Sequence, residues 1–235
     1  MEQDYTKAPR LFLNTPLSIR ADTQLDKDQS HYLLNVMRKN DNDMVRVFNG
    51  CDGEFIGAIQ KQSKKFCTLT NLEQIKPQPE TRNEIHLYFA PIKKDRMGFM
   101  IEKAVELGVT HIHPIITDRT QHGKINHDKI EKQIIEAAEQ CERMDIPHLS
   151  PTQKLINTIF PKQTYVGLER DNAPLFHAKN IEGTSILIGP EGGWSNDERR
   201  HMNAASEFTP VSLGNNILRA ETAALFMLSR IDKPT

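Results

Sequence analysis

The sequence predicts an α/β protein, with a small N-terminal β-barrel followed by a larger α/β domain that has a mainly parallel sheet. Three features predict this fold. Short strand-like runs occupy the beginning of the chain, strand-like and helix-like segments alternate in the rest, and a connector with two prolines separates these regions at residues 76–80. Prolines among polar residues are typical of a short, stiff linker. We therefore expect domains at residues 1–75 and 80–235.

The N-terminal domain is predicted from four strand-like runs and one helix. The runs cover residues 10–13, 44–48, 54–60 and 66–72. Gly50 and Gly53 lie between the second and third runs, and glycine readily adopts the positive φ that a hairpin requires. A helix is expected at residues 28–39, with an apolar stripe made by Leu33, Leu34, Val36 and Met37. Short strands with one helix favour a small barrel.

The second domain is predicted from alternating elements. Strands are expected at residues 84–90, 111–116, 164–168, 185–188 and 210–213, and helices at 94–107, 127–143, 196–205 and from 220 onward. Gly108 suits a left-handed cap after the first of these helices, and Val109 supplies the apolar contact that often follows. The long helix is expected to bury Ile134, Ile135, Ala138 and Cys141.

Composition narrows the class of protein. No apolar run approaches the roughly 20 residues that cross a bilayer, so we expect no membrane association. The N-terminus is acidic and polar, unlike a signal peptide, and predicts a cytoplasmic protein. The formal net charge of -1 argues against nucleic-acid binding over the whole surface, so RNA would be bound by local patches. The three cysteines are widely spaced and predict neither a disulfide framework nor a zinc site.

Two clusters of polar residues are not expected to form sites. His111 and His113 lie on one side of a strand but have no third ligand at a suitable spacing, so no metal is expected. Lys93, Lys94 and Arg96 lie at a helix start, where cations oppose the helix dipole. A solvated face is expected there, with an RNA contact as the alternative.

The first candidate ligand loop, residues 189–193, follows a strand and precedes a helix that Ser195 and Glu198 can cap. Its glycines allow a ligand to approach the backbone closely. Pro190 removes one amide donor and Glu191 places a carboxylate where an anion would bind, so the loop is poorly suited to phosphate. A neutral or cationic ligand fits better, for example adenosine attached to a sulfonium. The alternative is a purely structural turn.

The second candidate loop, residues 213–219, is rich in Gly and Asn and precedes the last helix. Such residues tolerate left-handed backbone, so the loop can present amides and carbonyls to a purine. Arg219 and Glu221 flank the helix start, where an ordinary ion pair is the alternative interpretation. Because ligands bind at the carboxyl ends of parallel strands, two such loops together favour a binding site.

Several segments resemble the RsmE family of SPOUT-class methyltransferases, which methylate N3 of a uridine in small-subunit (16S) ribosomal RNA. The resemblance is carried by Gly189-Pro190-Glu191-Gly192-Gly193 and by residues 10–12, 31–38, 103–109, 136–143 and 213–223. It implies S-adenosylmethionine as cofactor, a deep trefoil knot in the second domain, a PUA-like RNA-binding first domain and a homodimer. It also implies 16S rRNA or the assembled small subunit as partner. The segment 117–124 departs from the family pattern in being shorter downstream.

The resemblance also implies roles for individual residues. The catalytic residues would be Arg219, Glu221 and Arg119. Cofactor would be bound by Leu168, Gly189, Pro190, Glu191, Gly192, Gly193, Leu213, Gly214, Asn216, Ile217 and Leu218. RNA would be bound by Arg10, His31 and Arg38. The dimer interface or active-site support would come from Glu136, Gln140 and Arg143.

Methylation at N3 requires the uracil to lose a proton, and a nearby cation such as Arg219, Arg119 or Arg10 would stabilise the anion. Glu221 would accept the proton or orient Arg219. Trp194 would stack on a base or on adenine, or would anchor the helix start. Two other functions remain open: methylation of a ribose 2'-hydroxyl by the same fold, and a non-catalytic RNA-binding or assembly factor.

Overall fold

The computed structural model describes residues 5–80, 84–161, 163–167, 173–178 and 183–232. The chain forms two compact units, Met1–Thr81 with Ala138–Ile146, and Arg82–Ala137 with Pro147–Thr235. The return of residues 138–146 to the first unit was not indicated by the sequence. Among the described residues, no helix is long and apolar enough to span a membrane.

The first unit contains a sheet with the order β1-β3-β4-β5-β2 among its described strands. The strands are β1 (Arg10–Phe12), β2 (Thr23–Gln24), β3 (Met44–Phe48), β4 (Glu54–Lys61) and β5 (Cys67–Lys76). The β1–β3 pair is parallel and the other pairs are antiparallel. Gly50 and Gly53 have φ of 86° and 97° in the predicted β3–β4 hairpin. A Cβ at Gly53 would lie 2.4 Å from the carbonyl oxygen of Lys76, so only glycine fits there.

The helix of the first unit is shorter than predicted. Helix α1 spans Lys27–His31, and a π-helical turn follows at Tyr32–Val36, where the amide of Met37 donates to the carbonyl of Tyr32 at 2.8 Å. This wider turn rotates the following side chains away from an α-helical stripe. Leu33 is buried, but Val36 and Met37 are exposed. The prediction of a continuous apolar stripe over residues 28–39 is therefore wrong.

A buried cluster of charges joins residues 138–146 to the sheet of the first unit. The Arg10 Nε lies 2.6 Å from Glu54 Oε1, and the Arg10 side chain is only 3% exposed. Its other nitrogens donate to the carbonyl oxygens of Ala138 at 3.0 Å and Arg143 at 2.9 Å. The guanidinium also lies over the ring of Phe48. This burial argues against the predictions that Arg10 binds RNA or stabilises a substrate anion, because its donors are engaged within the protein.

The second unit contains a parallel sheet with the order β12-β10-β11-β6-β7-β8, and β9 pairs with β7. Its strands are β6 (Ile85–Phe89), β7 (His111–Ile116), β8 (His148–Leu149), β9 (Gln153–Lys154), β10 (Thr164–Gly167), β11 (Thr184–Ile188) and β12 (Phe208–Val211). Its helices are α2 (Lys94–Glu106), α4 (Asn196–Ala204) and α5 (Ala220–Ser229), while α3 (His127–Gln140) runs from this unit into the first. A short 3₁₀ turn at Leu155–Asn157 follows β9. All described pairs are parallel, which confirms the predicted α/β class.

The long helix differs from the prediction at its C-terminal end. Helix α3 ends at Gln140, and Cys141 is exposed where burial was expected. Arg143 lies beyond the helix and forms a two-point ion pair with Asp145, with both N···O distances at 2.7 Å. The predicted extent of this helix to residue 143 is therefore wrong, and Arg143 does not lie on it with Glu136 and Gln140. Both of those residues are on the helix and exposed.

Candidate functional site

A pocket of about 610 Å³ lies at the carboxyl ends of β10, β11 and β12. The two predicted loops form most of its wall, as expected for an open parallel sheet. The lining comprises Gly167, Ala173, residues 188–191, Gly193, Trp194, Arg199, residues 212–220 and Ala223. Every described residue predicted to bind cofactor lines this pocket, except Gly192. Leu168, which was also predicted, lies outside the described residues.

The first loop is held by an N-terminal capping box on α4. Ser195 Oγ accepts from the amide of Glu198 at 3.2 Å, and Glu198 Oε2 accepts from the amide of Ser195 at 2.8 Å. Glu198 Oε1 also accepts from the amide of Asp118 at 2.8 Å, and Ser195 Oγ donates to Asp118 Oδ2 at 2.6 Å. The cap therefore fixes the helix start and joins the loop after β7 to the loop after β11.

Trp194 anchors the loop in the core. Its side chain is 4% exposed and packs in a cluster with Tyr88, Leu187 and Met202. A Cβ at Gly189 would lie 2.7 Å from Trp194 Cε2, so glycine is required where the backbone crosses the indole. This burial favours the helix-anchor interpretation of Trp194 over stacking on a free base. Trp194 still forms part of the pocket wall.

The two exposed arginines predicted to act in catalysis lie in the loops around the pocket. Arg219 lines the pocket directly and is the residue before the first turn of α5. Arg119 does not line it, but its Nη1 donates to the carbonyl oxygen of Gly192 at 3.2 Å. A Cβ at Gly192 would lie 3.3 Å from Arg119 Cβ, so the two residues pack closely. Gly192 therefore contacts Arg119 and not the pocket.

Glu221 is placed differently from the sequence prediction. It is 9% exposed and does not line the pocket. Its ion-pair partner among the described residues is Arg96 of α2, with 3.8 Å between Nε and Glu221 Oε1, and not Arg219. Because Glu221 is not among the lining residues, it is not positioned to take a proton directly from a base bound in the pocket. The structure therefore favours a supporting role for Glu221.

Arg96 contacts a residue of the pocket wall, which the sequence analysis did not predict. Its Nη1 lies 2.5 Å from Oε1 of Glu191, which lines the pocket. The prediction of a solvated face does not describe Arg96 well, because its side chain is only 37% exposed and is engaged by two carboxylates. The strand order explains why Arg96 lies close to Glu191. Strand β6 pairs with β11, so the start of α2 after β6 and the loop after β11 lie at the same edge of the sheet.

Comparison with known proteins agrees with this architecture. Residues 79–232 match the family described as "RNA methyltransferase domain", and residues 25–70 match "RNA methyltransferase PUA domain". The chain is 33% identical to the ribosomal RNA small subunit methyltransferase E of Rickettsia conorii, over 96% of this chain and 95% of that protein. It is 30% identical to the protein of the same name from Buchnera aphidicola, over 96% and 93% of the two chains.

Two solved structures share the fold. The ribosomal RNA small subunit methyltransferase E of Neisseria gonorrhoeae bound to S-adenosyl methionine has a TM-score of 0.80 and 26% identity, covering 94% of this chain and 95% of that one. A putative methyltransferase from Legionella pneumophila in complex with the same cofactor has a TM-score of 0.82 and 28% identity, covering 95% and 96%. The similarity therefore extends over both units of the chain.

Proposed function

The chain belongs to the ribosomal RNA small subunit methyltransferase E family, and from this we propose that it transfers a methyl group from S-adenosylmethionine to N3 of a uridine in 16S ribosomal RNA. The observation that carries the proposal is the pocket at the carboxyl ends of β10, β11 and β12. Its volume lies in the range of small-molecule sites.

The pocket wall fits S-adenosylmethionine chemically. Its lining residues include the apolar Leu213, Ile217 and Leu218 and the glycines of the two loops. Such walls suit an adenosine, with amides and carbonyls for the purine edge and apolar surface for its faces. When bound, the cofactor supplies a methyl group already activated on a sulfonium. The protein then has to position the acceptor and stabilise charge.

We assign anion stabilisation to the exposed arginines. Uracil N3 becomes anionic as it loses its proton, and Arg219 at the pocket edge can stabilise that charge. Arg119 supports the site through its bond to Gly192, and its exposed side chain is available to RNA. Since N3 lies on the pairing edge, the uridine has to be unpaired or flipped out of a helix. Single-stranded regions of folded RNA present such bases.

RNA binding by the first unit is proposed from its match to a PUA domain of RNA methyltransferases. His31 and Arg38 are exposed on either side of the π-helical turn, and the exposed Val36 and Met37 lie between them in the chain. A guanidinium and an imidazole near apolar surface suit an RNA strand, which offers phosphates and base faces. We propose 16S rRNA or the assembled small subunit as the partner.

We further propose a homodimer, with Glu136 and Gln140 available at its interface because both are exposed on α3. The trefoil knot stays a prediction from the family resemblance. Helix α5 follows the edge strand β12, yet it packs against α2 and the inner strand β11. A knotted connection would bring the chain back from the edge to the centre of the sheet in this way. We propose that the protein acts in the cytoplasm, as the sequence predicted.

The first experiment is calorimetric titration with S-adenosylmethionine. Ala220 lines the pocket and Thr222 is exposed outside it, so Ala220→Trp should block binding while Thr222→Trp, on the same turn of α5, should not. Saturable binding by the wild type and Thr222→Trp alone supports the pocket assignment. Absence of binding by the wild type, with and without RNA, would contradict a methyltransferase and leave an RNA-binding factor.

The reaction itself is tested on small subunits from a strain that lacks the enzyme. Methylation by the wild type should produce N3-methyluridine, identified by mass spectrometry of nuclease digests, and the Ala220→Trp variant should produce none. A methyl group on the ribose would instead establish 2'-O-methylation and overturn the assignment to N3. Comparing naked 16S rRNA with assembled subunits identifies which of the two is the substrate.

A further inference from the structure

We propose that Arg96 is a positioning residue for methyl transfer, which holds both walls of the cofactor pocket in place through Glu191 and Glu221. The inference rests on the proposed function and adds a residue to it. Arg96 lies in the first turn of α2, outside both predicted loops. It reaches one carboxylate from each of the two chain segments that form the pocket.

The contact with the first wall is short. Arg96 Nη1 donates to Glu191 Oε1 at 2.5 Å, a charge-assisted hydrogen bond between a guanidinium and a carboxylate. Glu191 lies in the loop after β11 and lines the pocket. The loop is fixed at its other end by the capping box at Ser195. Arg96 thus holds the part of the loop that the cap does not reach.

The second contact of Arg96 is with Glu221, whose carboxylate is buried. Glu221 is 9% exposed, and its Oε2 is buried with no hydrogen-bond partner among the described residues. Its Oε1 lies 3.8 Å from Arg96 Nε. A buried carboxylate that loses its counter-ion is costly to keep in place. Without Arg96, we expect Glu221 to turn toward water and disturb the first turn of α5.

That turn carries the proposed catalytic cation. Arg219 immediately precedes α5, and Glu221 is the second residue of the helix. The loop 213–218, which lines the pocket, enters the helix at the same place. A shift of this turn would therefore misplace both Arg219 and the cofactor-binding loop. Small misplacements of this kind can lower rates by about 10²-fold.

The test compares Arg96→Met with Lys94→Met. Both variants remove one cation from the first turn of α2, but the described structure gives Lys94 no ion-pair partner. We expect Arg96→Met to raise the cofactor Kd about 10-fold, the worth of one charge-assisted hydrogen bond. We expect its kcat at saturating cofactor to fall between about 10-fold and 10²-fold. Lys94→Met should keep the wild-type cofactor Kd.

Double-mutant cycles separate positioning from general stability. In a Glu191→Gln background, Arg96→Met should raise the cofactor Kd little further, because the shared contact is already lost. In a Glu221→Gln background, it should lower kcat less than it does in the wild type. Thermal melting monitors folding of each variant, and all assays are run well below the lowest midpoint. A purely structural role would lower melting temperatures and leave the cofactor Kd and kcat unchanged.

Arg96→Lys provides a second test, which also serves if Arg96→Met does not fold. Lysine keeps the charge but not the planar group that reaches two carboxylates at once. We expect it to fall between the wild type and Arg96→Met in both Kd and kcat. Wild-type values for both arginine variants, or additive effects in both cycles, overturn the inference. If the wild-type protein neither binds the cofactor nor methylates RNA, it is the proposed function that fails.

Discussion

Arg219 is the exposed cation at the pocket edge, and its removal should affect the reaction more than cofactor binding. We expect Arg219→Met to lower kcat about 10²-fold, the usual effect of losing one group that stabilises transition-state charge. The cofactor Kd should change far less, because Arg219 is one of many residues that line the pocket. Single-turnover methyl transfer and calorimetry give the two quantities.

The matched control for this variant is Arg200→Met. Arg200 is exposed on α4 and pairs with Asp197 outside the pocket. The loss of Arg200 should leave both kcat and the cofactor Kd unchanged. Equal rates for Arg219→Met and the wild type would remove Arg219 from the mechanism and direct attention to Arg119.

The core leaves no space for a side chain at Gly189. Alanine there would place Cβ 2.7 Å from the rigid indole of Trp194. We expect Gly189→Ala to lower the free energy of unfolding by about 1–3 kcal/mol, as for overpacking elsewhere. Urea denaturation measures the loss. Gly123→Ala is the control, since its Cβ would make an ordinary contact 3.5 Å from Ile116 Cδ1, and comparable losses in both variants would contradict the packing argument.

At the level of elements, strands β6 and β7 carry a stack of aromatic rings on one face. The His86 and His111 rings lie 4.3 Å apart, and those of Tyr88 and His113 lie 4.2 Å apart. His86 Nδ1 and His113 Nε2 are hydrogen-bonded at 3.0 Å. Burial, reinforced by the neighbouring histidines, lowers the pKa of His113 to about 3. The stack therefore needs an uncharged His113.

The low pKa of His113 makes the free energy of unfolding decrease as the pH falls. The unfolded chain takes up a proton at His113 near pH 6.5, whereas the folded chain takes it up only near pH 3. Between these values the unfolded state binds more protons, so stability falls as the pH falls. One proton contributes at most about 1.4 kcal/mol per pH unit.

We expect His113→Phe, which retains a ring in the stack, to flatten this dependence. The measurement is the free energy of unfolding in urea at several pH values between 7 and 5. The control is His122→Phe, because His122 is exposed and outside the stack. An unchanged slope in His113→Phe would show that another group is responsible for the pH dependence.

Elements differ in how well local sequence predicts them. Helix α2 matches the predicted segment closely and ends in the expected cap, where Gly108 has a φ of 84°. A strong apolar period and a glycine stop are local signals, so neighbouring residues suffice to read them. The π-helical turn after α1 cannot be recognised in this way, because its apolar residues have the spacing of an ordinary α-helix. Leu33, within the turn, packs in the core of the first unit, and such long-range packing is not visible in the local sequence.

At the level of the whole molecule, the first unit depends on a distant part of the chain. Arg10 donates to the carbonyls of Ala138 and Arg143, and Arg46 pairs with Glu142 at 2.8 Å. A fragment of residues 1–80 keeps the Arg10–Glu54 ion pair but lacks these three acceptors, so donor groups of both arginines lose their partners. Each unpaired buried group costs about 1–3 kcal/mol.

We expect this fragment to melt well below the first transition of the intact chain, or without cooperativity, in circular dichroism. A second fragment, in which residues 138–146 are joined to 1–80 by a flexible Gly/Ser linker, should recover much of the lost stability. A fragment of 1–80 that melts like the intact chain would show that the returning segment contributes little.

The sequence by itself determined the α/β class, most strands and helices, the Gly50–Gly53 hairpin and the two loops that line the pocket. These features depend on local periodicity, turn chemistry and the rule that ligands bind at the carboxyl ends of parallel strands. The family resemblance supplied the expected reaction, and the comparisons agree with the family.

Only the tertiary structure decided which polar side chains meet. Arg10 and Arg219 are both arginines near predicted elements, yet one is buried against Glu54 and the other lines the pocket. Arg96 and Glu191 are 95 residues apart in the chain and become neighbours because β6 pairs with β11. Local pattern specifies an element, but the partner of a charge depends on strand order and on what folding buries around it.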